Sequence, residues 1–292
     1  MGRASVLCAS LLFLLTVGGA PIGGQAPAPP RPGADDYLPM ALREAAKLRY
    51  SAPMEAVAVY REVLRGALPQ KDRIKVHVLL AECLERVKGE GEGARRTWKD
   101  IRDAYPDDPV NLKAAYRLGE LYFCILPDGL KPSLPDALEQ FEYILKKAPA
   151  GRMIALLAHV NVAQIRQLLR EPDKALLEYQ TVYDTEAEDL EVPPETANLP
   201  EAEREKVMKP LREQLARMRA KAVPRMIACC RRGTDDETVN ALKSLKEKYN
   251  DDETIAGAVD AALKTYEPSV QPDADSVSFL PTCTSAGERR LT

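Results

Sequence analysis

One spacing constrains this chain more than any other feature: an alanine, an aromatic four residues later, and in three cases out of four a proline eight or nine positions beyond that. It runs through Ala56/Tyr60/Pro69, Ala94/Trp98/Pro106, Ala137/Phe141/Pro149 and Ala175/Tyr179, and the alanines are 38, 43 and 38 residues apart. Residues four apart share one face of a helix, so the small residue admits a close helix contact and the aromatic one turn on fills the space to the next unit. The proline cannot continue the helix and ends it. A partner stretch precedes the later units: IKVHVLLAECLERV, LKAAYRLGELYF and LLAHVNVAQIRQLL carry apolar residues at three- and four-residue spacing, with Ala81, Gly119 and Ala163 at corresponding places. The expected architecture is all-α, a solenoid of stacked antiparallel helix pairs in which each pair needs its neighbour to bury its apolar face.

Leu118, Gly119 and Tyr122, followed by Ala137, Phe141 and Pro149, resemble the tetratricopeptide repeat, which pairs a Leu-Gly-x-x-Tyr helix with an Ala-x-x-x-Phe helix and a closing proline. The resemblance covers about residues 38 to 186. It departs from the 34-residue family period, carries an inserted PDGLKPSLP loop in the third unit, and has Arg166 where the fourth unit would have an aromatic. Repeat packing is accordingly expected of Ala56, Tyr60, Ala94, Trp98, Gly119, Tyr122, Ala137, Phe141, Ala163, Ala175 and Tyr179. The resemblance implies a concave groove lined by the first helix of each pair. Its positions here are Lys75, Val78, Glu82 and Arg86, then Lys113, Tyr116, Glu120 and Phe123, then Val160, Gln164 and Gln167. With Tyr116 and Phe123 taken as exposed, that mixed surface suits an extended peptide or a helix of another protein. A solvated face without a ligand is the alternative, since charged helix faces are usually solvated.

The family's clamp for a C-terminal carboxylate would need Asn where Glu82 and Glu120 stand, and two carboxylates there would repel it. The pairing of ARRTWKDIRDAYPDD with VNLKAAYRLGELYF is similar to repeats of bacterial outer-membrane assembly and envelope-coordination factors.

Flanking segments set compartment and boundaries. MGRASVLCASLLFLLTVGGA has Arg3, an uncharged run from Ala4 to Val17 and small residues at Gly18 to Ala20, the layout of a signal peptide. The run is shorter than the roughly 20 residues a spanning helix needs, so an exported protein, periplasmic or secreted, is expected, with no membrane span once residues 1–19 are removed. A leader retained as an anchor is the alternative. Residues 20–34 read as a flexible Pro/Gly-rich leader, 35–186 as about four repeats, 199–267 as a helical extension that closes the array as a C-terminal cap and 268–292 as a disordered tail. In the extension, Val207, Leu211, Leu215, Met218 and Ala222 form the expected stripe of a long helix starting after Pro200 and kinked near Pro210. Helices from Asp235 and Asp252 follow, capped by their Asp pairs.

Lys plus Arg (41) nearly balance Asp plus Glu (44) in 292 residues, so no overall field gathers nucleic acid or anionic lipid. Catalysis has little material: His77 and His159 are the only histidines, no Gly-rich phosphate loop follows a strand, and GEGEG at 89–93 reads as a turn. The cysteines left after the leader, Cys83, Cys124, Cys229, Cys230 and Cys283, have no zinc spacing and read as buried helix fillers. The Asp pairs lack calcium-loop spacing. No cofactor or metal is expected. The functional expectation is a non-catalytic scaffold for protein–protein interaction, with a structural spacer or oligomerisation arm and a helical glycan-acting enzyme as the two alternatives.

Overall fold

The computed structural model describes residues 34–124, 130–193, 196–231 and 233–265; the expected signal peptide, most of the expected Pro/Gly-rich leader, part of the inserted loop, Cys283 and the expected tail lie outside them. The chain divides into a segment ending at Met40 and a unit beginning at Ala41. Of the first, the described part is the opening of helix α1 (Ala34–Ser51), and the packing that follows is that of the second. Eleven α-helices and no strand are present among the described residues. After α1 come α2 (Pro53–Arg65), α3 (Gln70–Leu84), α4 (Gly91–Ala104), α5 (Val110–Phe123), α6 (Leu134–Lys147), α7 (Met153–Leu168) and α8 (Pro172–Asp184). A 3-10 turn (Ala187–Asp189) follows, then α9 (Glu201–Cys230), α10 (Asp235–Lys248) and α11 (Glu253–Thr265).

From α2 through α9 each helix packs chiefly on its neighbours in sequence, as in a solenoid-like stack. The first helices of successive pairs also touch directly, α5 with α7 and α7 with α9, so they form one layer. The local causes are legible. Pro53, Pro135 and Pro172 sit in the first turns of α2, α6 and α8, where a missing N–H is harmless. Pro69, Pro106 and Pro149 lie just beyond the ends of α2, α4 and α6.

The recurring pairs are the core of the stack. Ala56, Tyr60, Ala94, Trp98, Ala137, Phe141, Ala175 and Tyr179 are all 0% exposed, as are Ala81 and Ala163. Gly119 answers to Phe141: a Cβ at that position would lie 2.8 Å from the Phe141 ring, closer than packed carbons approach, and Tyr116 meets the same ring edge-on with centroids 5.7 Å apart. Tyr122 is half-buried against this cluster and takes the Arg95 guanidinium over its ring at 4.8 Å. Arg95 is itself buried and donates to the Leu121 carbonyl at 2.7 Å, satisfying an end-of-helix acceptor of α5. Arg166 does with charge what an aromatic would do by area. It reaches Glu142 of α6 at 2.9 Å and Glu171, the residue preceding α8, at 3.0 Å.

The extension differs from expectation in its buried stripe and in one helix cap. Its buried stripe uses Met208 rather than Val207. The long helix runs on to Cys230 with both Pro210 and Pro224 inside it; each removes one backbone bond, and packing on α8, α10 and α11 retains the helix. The cap of α10 is not an Asp of the 235/236 pair but Thr234, whose hydroxyl accepts from the Glu237 N–H in a capping box; Asp252 does cap α11, accepting from Thr254 and Ile255. As expected of a C-terminal helical cap, the extension packs onto the last repeat helices. One cluster joins Ala163, Ala175 and Tyr179 of the repeats to Val223, Met226, Leu242 and Ile255. Cys83, Cys124, Cys229 and Cys230 are buried free thiols.

Candidate functional site

The groove positions fall, as aligned, on α3 (Lys75, Val78, Glu82), just beyond it (Arg86), on α5 (Lys113, Tyr116, Glu120, Phe123) and on α7 (Val160, Gln164, Gln167). Their side chains are not equivalent. Tyr116 and Phe123, expected as the exposed aromatics of the surface, are 6% and 3% exposed and belong to the core around Phe141. The reason is the missing side chain at Gly119. It draws Phe141 onto α5, and Tyr116, three residues earlier on the same face, closes over that ring. The Tyr116 hydroxyl still accepts from Asn161 Nδ2 of α7 at 3.4 Å.

Most of the charged and amide positions stitch one first helix to the next. Glu82 receives Lys113 Nζ of α5 at 3.0 Å and Arg49 of α1 at 3.3 Å, so a single carboxylate ties three successive first helices. Arg86 lies over the Tyr50 ring at 4.7 Å. Glu120 is held by Arg117 at 2.5 Å, and Arg117 also pairs with Glu85, whose carboxylate accepts the Trp98 indole N–H at 2.6 Å. Gln167 accepts from the Tyr179 hydroxyl at 2.9 Å and approaches Cys229 Sγ of α9 at 3.2 Å, while Arg225 donates to the same hydroxyl at 3.1 Å. Burial raises the Tyr179 pKa, with Arg225 opposing it. Lys75 is exposed, and Val78, Val160 and Gln164 are half-buried; these four remain as the open part of the expected groove.

Sequence reasoning missed the Arg95 cap, the Glu85–Arg117–Trp98 cluster and a second polar clasp at the far end. There the Tyr183 hydroxyl donates to Asp252 at 2.6 Å and Tyr249 to Asp184 at 2.7 Å, and the two rings meet edge-on at 5.7 Å. Burial pushes Tyr183 up to about 12, and the hydrogen bond from Tyr183 holds Asp252 below the usual carboxylate range. A helix-by-helix reading carries no signal for this clasp, because its partners lie more than 60 residues apart. A cleft of about 620 Å³ between α8 and α10 is lined by Leu176, Gln180, Asn240, Ala241, Ser244 and Leu245.

Each histidine has one partner: His77 Nδ1 lies 3.1 Å from the Tyr105 hydroxyl and His159 Nδ1 2.5 Å from Glu178. Burial lowers the His77 pKa, with Arg73 adding to it. Among the described residues no group of three or more His, Cys, Asp or Glu is placed to hold a metal ion, and no helix is long and apolar enough to cross a membrane.

No family model and no curated protein matches the sequence. A solved structure that is similar in part is the crystal structure of BtubC (BKLC) from P. vanneervenii, at 15% identity and a TM-score of 0.34, with 84% of this chain and 97% of that one covered.

Proposed function

We propose that this protein is a non-catalytic scaffold of the tetratricopeptide type that holds another protein, and that it does so outside the cytoplasm, in the assembly of a cell-envelope complex. The observation that carries the reading is the complete burial of four Ala-x-x-x-aromatic pairs one repeat apart, together with first helices that touch in succession. Stacked pairs of this kind generate extended surfaces that bind chains rather than enclose small substrates. The non-catalytic part of the proposal rests on the engagement of both histidines in single side-chain contacts. Export rests on the leader sequence alone.

A spacer or oligomerisation arm is favoured by one observation of its own: Glu82, Lys113, Glu120 and Gln167 are spent on contacts within the chain. The experiment that separates the two is affinity capture from the exported fraction of the source, with the full chain as bait. A K75E/Q164E variant alters the open part of the groove without touching the stitches. Retention of one protein by the wild type and its loss with the variant supports the groove; equal retention, or none, favours the spacer.

A further inference from the structure

The chain carries a net charge of −3, yet its longest helix is strongly basic over most of its length. Between Lys206 and Arg225, α9 holds Lys206, Lys209, Arg212, Arg217, Arg219, Lys221 and Arg225 against the single Glu213, a local net of +6. Two of the exposed cations are neutralised within the helix, Lys206 by Glu203 at 2.6 Å and Arg212 by Glu205 at 2.7 Å. Arg219 and Arg225 turn inward, toward Glu186 and Tyr179. Lys209, Arg217 and Lys221 are exposed and make no ion pair among the described residues. At about 100° per residue they fall within roughly 120° of arc, and at 1.5 Å per residue they span about 18 Å of helix.

The exposed Glu213 lies one turn from both Lys209 and Arg217 on this face, so the three cations leave an excess of two positive charges there, and the rest of the structure narrows which anion that excess attracts. Beside them run Ala216, Ala220, Pro224 and Ala228, all exposed, so a second backbone has room to approach closely. The exposed large apolar side chains, Met40, Tyr50, Met54, Leu169, Leu177, Val192 and Leu199, all lie off α9. A bilayer-binding helix needs such residues to insert, and a single-strand binder needs aromatics on which bases stack. This face has neither. We infer that the exposed face of α9 around Lys209, Arg217 and Lys221 is a docking surface for an acidic segment of another polypeptide, its Asp or Glu side chains meeting the three cations while its backbone rides along the alanine ridge.

This deepens the scaffold reading, on which it rests, and places a contact outside the groove of α3, α5 and α7. The test uses the full chain and fluorescently labelled poly-L-glutamate, followed by anisotropy at low and physiological salt. Charge reversal of the face (K209E/R217E/K221E) is compared with reversal of three exposed lysines elsewhere (K71E/K99E/K146E), which changes net charge by the same amount. The expected result is binding that weakens with salt, falls about tenfold or more with the face variant and changes less than about twofold with the control. Unchanged melting curves exclude misfolding, since all six positions are exposed. Absence of wild-type binding, or equal loss in both variants, overturns the assignment. So does tighter binding of phosphatidylserine vesicles or oligothymidylate through the same residues, because the surface would then serve a membrane or a nucleic acid. Failure here with the K75E/Q164E capture positive leaves the scaffold reading standing; failure of both removes it.

Discussion

Substituting Gly119 by alanine tests the repeat packing at its tightest point. In an open helix this change stabilises by about 1 kcal/mol, because glycine loses more backbone freedom on folding. At Gly119 the new Cβ would stand 2.8, 2.9 and 3.1 Å from three atoms of the Phe141 ring. That ring is fully buried and meets the Tyr116 ring edge-on, so it has little room to yield. Overpacking of this kind costs about 1–3 kcal/mol, and the two effects together leave G119A neutral to about 2 kcal/mol destabilised. The sharper quantity is the coupling. With Phe141→Leu the clash is gone, so adding G119A should then stabilise by about 1 kcal/mol, a change of roughly 1–3 kcal/mol in the effect of one substitution. Gly257 on α11, where a Cβ would meet nothing within 4 Å, is the internal control, and G257A should give the helix-propensity gain alone. Urea denaturation of wild type, G119A, F141L, the double variant and G257A supplies the numbers. A coupling below about 0.5 kcal/mol would refute the placement of Gly119 beneath Phe141 and with it the alignment of the third unit.

Three further expectations follow from the polar groups of the core. Tyr60 buries a hydroxyl that bonds to no described protein group, whereas the Tyr179 hydroxyl links Gln167 and Arg225. Y60F should therefore leave the thermal midpoint unchanged or raise it, while Y179F lowers stability by about 1–2 kcal/mol. R117M strands Glu85, whose side chain is 5% exposed, with only the Trp98 N–H; the expected loss is on the order of 3 kcal/mol, read from the same urea curves. His77 gives a pH dependence. Burial holds its folded pKa below the ordinary 6.5, so the unfolded chain binds the proton first and stability is complete above pH 6.5 and declines as pH falls through that value. H77Q should flatten the fall in melting temperature between pH 7 and pH 5; an unchanged slope would remove His77 as its source.

How much of this was written in the primary structure divides along a physical line. Helix existence, the pairing into repeats and the burial of Ala56/Tyr60 through Ala175/Tyr179 follow from spacing, because a 3.6-residue period fixes which side chains share a face whatever lies opposite. The same holds for Asp252, whose cap acts on the two or three residues after it. The basic run of α9 was equally legible, but the near balance of 41 cations and 44 anions concealed it: total charge averages over the chain, and a surface is local.

What tertiary structure alone decided is which side of each first helix stays open. Tyr116 has the spacing of a groove residue, and only the approach of α6 at Gly119, bringing Phe141 with it, turns it into core. Glu82 and Lys113 read as an open charged surface until helices 31 residues apart are laid side by side, where they become a bridge. The repeats and the extension differ in period, and neither pattern records which side chains join them. They share one core because Val223 and Met226 of α9 reach Tyr179 of α8. Periodicity specifies the elements and the faces they bury, and contact between distant elements determines which of the remaining side chains are left for a partner.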